Sequence, residues 1–323
     1  MQPNEPREHV LIGDAETVHR GTFAAAIKPV AYMRSGDTIT VTTLSGNEVE
    51  LPAEGSGLIV SPQHRNVLAH VKCGLGPHFM TGPIAVEGAM PGDELVVKIL
   101  AMELLQNWGW NAMRAGKGTL PDDFPQDRVI HVAIDQRRGI VKMPWGLELK
   151  AQPFFGVIGV APRPEDGPQT SIVPRAFGGN IDNKNLGAGA TLHLPVFNPG
   201  GLLSVGDGHA CQGDGEVCLT AIETGLRGTL RLTVKKSTGI TRPWAETPSH
   251  WITMGFAEDL DEAAQDALRE MIKLIVERSN LSAAAAYTLC SIAADVHVTQ
   301  LVNVNKGAHV MLAKSLLKGA INL

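Results

Sequence analysis

The chain has 323 residues, of which 44% are hydrophobic and 19% charged, a composition that supplies a large core and excludes a disordered protein. Its formal net charge is −5. No basic cluster that would neutralise phosphates is present, so we expect no nucleic-acid partner. No apolar run reaches the roughly 20 residues needed to span a bilayer, so we expect no membrane partner. Residues 1–8 contain no apolar signal core, which predicts a cytoplasmic protein.

The abundance of turn-forming residues predicts many short strands. The chain has 35 glycines and 20 prolines, distributed without a period. Residues 107–127 contain two tryptophans and several turn residues, and we expect a long irregular loop there that either forms the wall of a pocket or only packs. Strands are predicted at residues 37–43, 94–100, 154–160, 191–197, 217–223, 229–235, 296–302 and 309–312.

Only the last third of the chain has helical spacing. Residues 261–278 place apolar side chains on one stripe, with Asp259 or Asp261 as the cap, and Ser282 caps a second helix at 282–294. The predicted fold class is therefore α+β, predominantly β: a β-sandwich or barrel-like meander with C-terminal helices. We expect an N-terminal β-rich domain at 1–135 and a second β-rich domain with the helices at 136–323, packed as one unit.

The segment 206–216 (GDGHACQGDGE) concentrates three carboxylates and an imidazole between glycines. If residues 210–213 form a hairpin loop, His209 lies opposite Asp214 and Asp207 lies opposite Glu216, so that all four side chains share one face. Buried carboxylates must be paired, protonated or bound to a cation. The segment therefore indicates a divalent metal, a proton-transfer network or both, and the alternative is a surface turn rich in Asp and Gly.

The run 198–218 (NPGGLLSVGDGHACQGDGEVC) resembles the central motif of the acetamidase/formamidase family. Four further stretches resemble the family in the same order: 81–89 with the turn 91–93, 153–162, 178–182 and 306–310. The resemblance extends from about residue 19 to the C-terminus. It implies a mostly β architecture, hydrolysis of short aliphatic amides to a carboxylate and ammonia, and a homo-oligomer, either a dimer or larger.

Amide hydrolysis needs an activated nucleophile, stabilisation of the oxyanion and protonation of the departing amine. A metal ion can supply the first two. The histidine and the chemistry favour zinc, whereas the oxygen ligands would suit calcium. We predict metal ligands at Asp207, His209, Asp182 and Asn180, catalytic groups at Glu216, Asp214 and His209, and substrate contacts at His78, Thr81 and Gln212. Glu87 is a further candidate, either as a supporting carboxylate or as a paired strand residue.

Two alternatives to the metal-assisted amidase stay open. The first is a non-catalytic β-sandwich that binds a small ligand or a cation. The second is an amidase with a cysteine nucleophile at Cys211 or Cys218, which would need a depressed pKa and a neighbouring base. The chain has four cysteines and no C-x-x-C pair, so free thiols are expected.

Overall fold

A computed structural model describes residues 5–317 of the chain. Within this range the first eleven strands are β1 Glu8–Leu11, β2 Val18–Arg20, β3 Thr22–Phe23, β4 Ala31–Met33, β5 Thr38–Thr42, β6 Phe79–Val86, β7 Glu94–Leu104, β8 Trp108–Met113, β9 Arg128–Asp135, β10 Ile140–Lys142 and β11 Glu148–Lys150. The remaining strands are β12 Phe154–Gly159, β13 Gln169–Thr170, β14 Gly178–Asn180, β15 Thr191–Pro195, β16 Leu203–Cys211, β17 Ile222–Glu223, β18 Leu226–Lys235, β19 Trp244–Glu246, β20 His250–Ala257, β21 Ala294–Gln300 and β22 Lys306–Ala313.

The helices of the described residues are short in the N-terminal half and longer near the C-terminus. The α-helices are α1 Pro62–His70, α2 Leu260–Arg278 and α3 Ala283–Ala293, and short 3-10 helices occupy Glu48–Glu50, Pro164–Asp166 and Lys314–Leu317. Asp259 caps α2 by accepting a hydrogen bond from the backbone N–H of Glu262, and Ser282 caps α3 in the same way. No helix within residues 5–317 is long and apolar enough to cross a membrane.

Two large sheets hold most of the strands. One has nine strands in the order β1-β5-β18-β7-β15-β19-β20-β22-β21. The other has eleven strands, with the path β11-β10-β9-β8-β17-β16-β12-β14 and with β6 pairing to β16, β2 and β4. Strands β3 and β13 form a separate small pair. The division near residue 135 stays a prediction, and it would pass through both large sheets.

The main hydrophobic core joins side chains from both large sheets. Leu95 and Val97 of β7 and Leu230 of β18 come from the nine-stranded sheet, and Phe155 and Val157 of β12 come from the other. A second cluster packs α2 and α3 against β22. The predicted fold class, α+β and predominantly β with C-terminal helices, is confirmed.

Most predicted elements are present with shifted ends. The helix α1 Pro62–His70 was not predicted, since helices were expected only in the last third of the chain. Two predicted segments also differ. The loop predicted at 107–127 contains the whole of β8, because Trp108–Met113 pairs with β9. The strand predicted at 217–223 is reduced to Ile222–Glu223. In both places the pairing partner decides the structure, and sequence spacing does not reveal that partner.

Candidate active site

The candidate site lies where the edge of β16 changes its partner. Strand β12 pairs along one edge of β16. The other edge is shared, because β6 pairs with the N-terminal part as far as Gly206 and β17 pairs from His209 onward. Asp207 sits at this break with a φ of 52°, a left-handed conformation that is uncommon for a residue with a side chain. Asp207 therefore lies between the part of β16 that pairs with β6 and the part that pairs with β17.

A row of paired residues crosses the sheet at the level of His209. His209 lies opposite Phe154 of β12 on one side and opposite Glu223 of β17 on the other. Glu223 in turn lies opposite Trp110 of β8, and Trp110 lies opposite His131 of β9. Directly opposed residues point to the same face of a sheet. The row thus places an imidazole, a carboxylate and an indole side by side.

Five buried or nearly buried ionisable side chains meet at this point. His209 Nε2 lies 3.3 Å from Asp207 Oδ2 and 3.2 Å from Glu223 Oε1. Two overlapping groups have ligand atoms within 4.8 Å of one another: Asp207, His209 and Glu223, and Asp182, His209 and Glu216. We call these five residues the carboxylate–histidine cluster.

Backbone conformation brings Asp182 and Glu216 into the cluster. Asp182 follows β14 with a φ of 52°, and its backbone N–H donates to the carbonyl oxygen of Gly156. Glu216 has a φ of 45°. Such conformations cost free energy, and they are found where the surrounding structure fixes a functional side chain. Three of the five cluster residues adopt this conformation.

The loop that carries Glu216 is fixed to a strand of the other sheet. Gly215 forms a parallel bridge with Gln300 at the end of β21. Its N–H donates to the carbonyl oxygen of Thr299, and its own carbonyl oxygen accepts from the N–H of Leu301. The position of Glu216 therefore depends on pairing with a segment some 85 residues further along the chain, since Gly215 pairs with Gln300.

Gln212 fixes the orientation of the His209 ring. Its Nε2 donates to the carbonyl oxygen of Asp182 at 2.7 Å, so its Oε1 is left as the acceptor for His209 Nδ1 at 2.8 Å. His209 Nδ1 therefore carries a hydrogen, and Nε2 faces the carboxylates. This arrangement is typical of a histidine whose second nitrogen serves as a metal ligand or a proton carrier.

Burial and mutual charge shift the pKa values of the cluster. Burial raises the pKa of Asp182 to about 6 and that of Glu223 to about 8. Burial, with the Asp182 carboxylate adding to it, raises the pKa of Glu216 well above its usual range. Asp207 differs, because the charges of His78 and His209 outweigh burial and hold its pKa well below the usual value. The cluster is therefore poised to hold and exchange protons near neutral pH.

Burial also disfavours the charged form of His209, but the neighbouring carboxylates of Glu223 and Asp207 outweigh it and raise the pKa of His209 well above its usual value. His78 reaches the cluster from outside, with Nε2 3.7 Å from Asp207 Oδ2 and Nδ1 2.8 Å from Ser171 Oγ. Asn303 donates from Nδ2 to Asp182 Oδ2. These contacts connect the cluster to the surrounding loops.

A cavity of about 600 Å³ opens onto the cluster. Asp207, Glu216 and Glu223 line it, together with Asn180, His78 and Asn303. The sequence predicted that residues 107–127 either form the wall of a pocket or only pack. This segment does form part of a pocket wall, with the lining residues Trp110, Ala112, Arg114, Ala115, Lys117 and Asp127.

The predicted hairpin register is wrong. His209 pairs with Glu223, not with Asp214, and the connection between the two strands covers residues 212–221. Asp214 lies apart from the cluster, where its Oδ2 is 3.0 Å from Lys184 Nζ and 3.4 Å from His297 Nδ1. The longer connection explains the difference, because a two-residue alternation cannot continue through a segment that has left the strand.

Asp214 also belongs to a second group of potential ligands, with His297 and His309. Both ring nitrogens of His309 already have partners, Thr299 Oγ1 at 2.7 Å and Asn185 Nδ2 at 3.2 Å. Burial lowers the pKa of His309 to about 4, so the ring is neutral. We interpret this group as a structural network at the end of β21 and β22.

The other predicted site residues occupy different positions. Asn180 is buried in β14, and its Oδ1 has no hydrogen-bond partner. Thr81 is buried within β6, donates to the carbonyl oxygen of Thr42 at 2.8 Å and does not line the cavity. Glu87 is exposed on the surface. Gln212 contacts His209 and Asp182 and lies outside this cavity.

Sequence reasoning missed Glu223, Asn303 and Gly156. Glu223 gave a signal, since it is a carboxylate that directly follows two apolar residues at the end of a predicted strand (AIE). Gly156 gave none. A Cβ atom placed on it would lie 2.5 Å from Asp182 Oδ1 and 2.7 Å from His209 Cε1, so the cluster occupies the space that a side chain would fill.

The four cysteines are free thiols, as expected. Burial raises the pKa of Cys211, and its Sγ contacts the carbonyl oxygen of Lys150 at 3.5 Å. Cys218 contacts the side chain of Asn111. Neither cysteine lines the cavity that opens onto the cluster. This geometry does not favour a thiol nucleophile at Cys211, since such a group needs a lowered pKa.

The fold and the cluster together define a β-rich protein with a carboxylate–histidine centre between two sheets. The chain belongs to the Acetamidase/Formamidase family, whose model matches residues 22–166 and 164–316. It is 31% identical to a formamidase of Methylophilus methylotrophus over 195 residues, which cover 43% of this chain and 47% of that protein. It is 30% identical to an acetamidase of Mycolicibacterium smegmatis over 209 residues, which cover 46% of this chain and 51% of that protein. The chain thus spans about half the length of these relatives.

Solved structures match over nearly the whole chain. An acetamidase from Bacillus halodurans superposes with a TM-score of 0.83 at 31% identity, covering 96% of this chain and 99% of that one. A predicted acetamidase/formamidase from the thermophile Thermoanaerobacter tengcongensis superposes with a TM-score of 0.84 at 31% identity. The match covers 99% of this chain and 100% of that one. The architecture described above is therefore that of the family.

Proposed function

We propose that the chain hydrolyses the carbon–nitrogen bond of short linear amides, such as formamide and acetamide, to a carboxylate and ammonia. The observation that carries the proposal is the carboxylate–histidine cluster, which lies against a cavity in a chain of the Acetamidase/Formamidase family. Relatives named formamidase and acetamidase support the substrate class.

We further propose that the cluster holds a divalent cation, with zinc favoured over calcium. Four of its buried ligand atoms have no hydrogen-bond partner: Asp182 Oδ1, His209 Nε2, Glu216 Oε2 and Glu223 Oε2. An unpaired buried carboxylate oxygen is costly, and a cation held by the cluster would compensate those of the four atoms that bind it. Asp182, Asp207, His209 and Glu223 are the proposed ligands. Asn180, with its free Oδ1, is a further candidate.

In the proposed reaction a water molecule attacks the carbonyl carbon of the amide. A cation in the cluster would acidify this water and polarise the carbonyl group. Glu216 lines the cavity and belongs to the cluster, so its carboxyl group is placed to take the proton from the water and pass it to the departing nitrogen. His78 and Asn303 also line the cavity and would hydrogen-bond the amide.

Ammonia release tests the proposed activity. Purified protein is incubated with formamide, acetamide and propionamide, with zinc supplied, and ammonia is quantified. We expect release from at least one amide. If none is hydrolysed by protein whose circular dichroism is that of a folded β-rich chain, the amidase assignment is wrong and the non-catalytic binding alternative takes its place.

Chelation tests the cation separately. Dialysis against a chelator should remove most of the activity, and zinc or calcium should restore it, which also identifies the preferred ion. Metal content is measured in the same samples by mass spectrometry. Full activity in protein that contains less than about 0.05 equivalents of metal would contradict the proposed cation but not the amidase activity.

We also propose that the chain forms a homo-oligomer, a dimer or larger, and resides in the cytoplasm. The four free thiols support a reducing compartment. Size-exclusion chromatography with light scattering measures the mass of the assembly, and a monomer at micromolar concentration would contradict the first part of this proposal.

A further inference from the structure

The cavity is much larger than the amides considered so far. Its volume is about 600 Å³. Acetamide has only four heavy atoms and occupies on the order of 100 Å³, judging from the roughly 30 Å³ that a water molecule takes in the liquid. Cavities of several hundred Å³ are typical of sites that enclose drug-sized ligands. The remaining space must hold either water or a larger part of a substrate.

Side chains of β8 and of the residue that follows it line the cavity along its length. Trp110, Ala112 and Arg114 alternate along the segment, and all three line the cavity. Trp110 lies opposite Glu223, so it stands at the level of the cluster. At about 3.3 Å per residue, Ala112 lies about 7 Å and Arg114 about 13 Å further along. The cavity therefore extends away from the cluster along β8.

The middle of this path is apolar and open. Ala112, which is almost completely buried, contributes only a methyl group to the wall of the cavity. Other elements supply further apolar walls around it: Leu44, Phe79, Ile172, Leu219, Val302 and Val304. An alkyl chain or an aromatic ring would replace water against these side chains.

The charges at the far end compensate one another. Arg114 forms an ion pair with Glu50, and Glu50 Oε2 also accepts from the backbone N–H of Asn47 at 2.8 Å. Lys117 and Asp127, of opposite sign, line the same cavity. A charged tail on the substrate would have to compete with the Arg114–Glu50 ion pair and would meet charges of both signs, so the site favours an uncharged group.

We propose that the preferred substrates of this chain are primary amides with an uncharged apolar acyl group larger than acetyl, about the size of hexanoyl or phenylacetyl. This inference rests on the proposed amidase function and specifies its substrate class. The carboxamide would lie at the cluster and the acyl chain beside Trp110 and Ala112. Each methylene that is buried on binding contributes about a fourfold gain in affinity.

The test compares kcat/KM for formamide, acetamide, butyramide, hexanamide and phenylacetamide with the metal-loaded wild-type protein. Acetamide and hexanamide differ by four methylenes, so we expect hexanamide to exceed acetamide on the order of 100-fold. The gain should decline once the acyl chain is longer than the channel. This comparison needs no variant, so a folding defect cannot obscure it.

A variant locates the effect. Ala112→Leu fills the channel, and we expect the ratio of kcat/KM for hexanamide to that for acetamide to fall at least 10-fold. Ala133→Leu is the matched control, because Ala133 is exposed on the neighbouring strand β9 and lines no cavity described above. In that variant the ratio should stay at the wild-type value.

The outcomes separate this inference from the proposed function. Hydrolysis of acetamide with a kcat/KM that is flat or falls with acyl length would overturn the inference and leave the amidase function in place. A rise with length that Ala112→Leu leaves unchanged would overturn the assignment of the channel. Hydrolysis of no amide in the panel would overturn both proposals.

Discussion

Gly156 allows three functional side chains to share one space. A Cβ atom at this position would lie 2.5 Å from Asp182 Oδ1, 2.7 Å from His209 Cε1 and 2.9 Å from Asp207 Oδ2. Gly156 does not need a positive φ, so the backbone itself accepts alanine. A substitution here therefore acts on the cluster and only weakly on the strand.

We predict that Gly156→Ala lowers ammonia release from acetamide at least 100-fold. Disturbing groups that orient metal ligands also weakens metal binding, commonly 10- to 100-fold. The matched control is Gly187→Ala, where the nearest atom to an added Cβ would be Pro153 O at 3.5 Å, an ordinary contact. Near-normal activity and metal affinity in Gly156→Ala would contradict the described geometry.

The thiols provide a second residue-scale prediction. Cys211→Ala and Cys218→Ala should each keep more than about a third of the wild-type kcat, because neither cysteine lines the cavity and burial raises the pKa of Cys211. Removing a catalytic nucleophile would instead abolish turnover. A drop of several orders of magnitude in either folded variant would favour the cysteine mechanism.

At the scale of elements, the turn before β5 depends on one buried carboxylate. Asp37 accepts hydrogen bonds from the backbone N–H groups of Arg7 and Arg34 at 2.8 and 3.0 Å. His9 Nε2 lies 3.1 Å from Asp37 Oδ2, the oxygen that also accepts from Arg34. Burial opposes the charge, but these donors outweigh it and hold the pKa of Asp37 well below its usual value.

We predict that Asp37→Asn destabilises the protein by about 1.5 to 3 kcal/mol, the range for hydrogen bonds to a charged group. A carboxyl group whose pKa is lowered in the folded protein stabilises the fold at pH values above the ordinary carboxyl pKa. This stabilisation is lost as the pH falls through the pKa that the group has in the folded protein. The difference in the free energy of unfolding between the variant and the wild type should therefore be constant near pH 7 and become smaller below about pH 4. Urea unfolding measures it, with exposed Asp123→Asn as the control. An unchanged midpoint would refute this role.

Elements whose residues carry their own signal could be predicted from sequence. The apolar stripe and cap of α2 and the alternation of β5 and β7 are local features, and the structure has these elements with small shifts. The register of β16 with its return strand could not be predicted, because the connection at 212–221 is held by Gly215 pairing with Gln300 of β21. The hairpin rule considers only neighbouring residues and assigned the partner of His209 incorrectly.

The candidate site shows the same division. The motif at 206–216 supplied Asp207, His209 and Glu216, and the loop at 178–182 supplied Asp182. Glu223 joined them only through strand register, and Asn303 only through a contact with Asp182 across 121 residues. Sequence spacing identified side chains that could act in catalysis or bind a metal. The pairing of the strands determined which of these side chains lie close together.

At the scale of the whole molecule, both large sheets contribute to the site. Asp207, His209 and Glu223 belong to the eleven-stranded sheet, whereas the loop of Glu216 is anchored on β21 of the nine-stranded sheet. The packing of the sheets around a common core therefore sets the distance between Glu216 and the other cluster residues. Assembly of the site requires the complete fold.

The central claim is that this cluster hydrolyses amides with Glu216 as the proton carrier. The most direct test is the rate of ammonia release from acetamide by Glu216→Gln, which removes the titratable carboxyl group and nearly preserves shape. Glu277→Gln on the exposed side of α2 is the control. We predict that kcat falls about 100- to 10,000-fold in Glu216→Gln, with an unchanged melting temperature and wild-type behaviour of the control. Near-normal turnover by Glu216→Gln would contradict the claim.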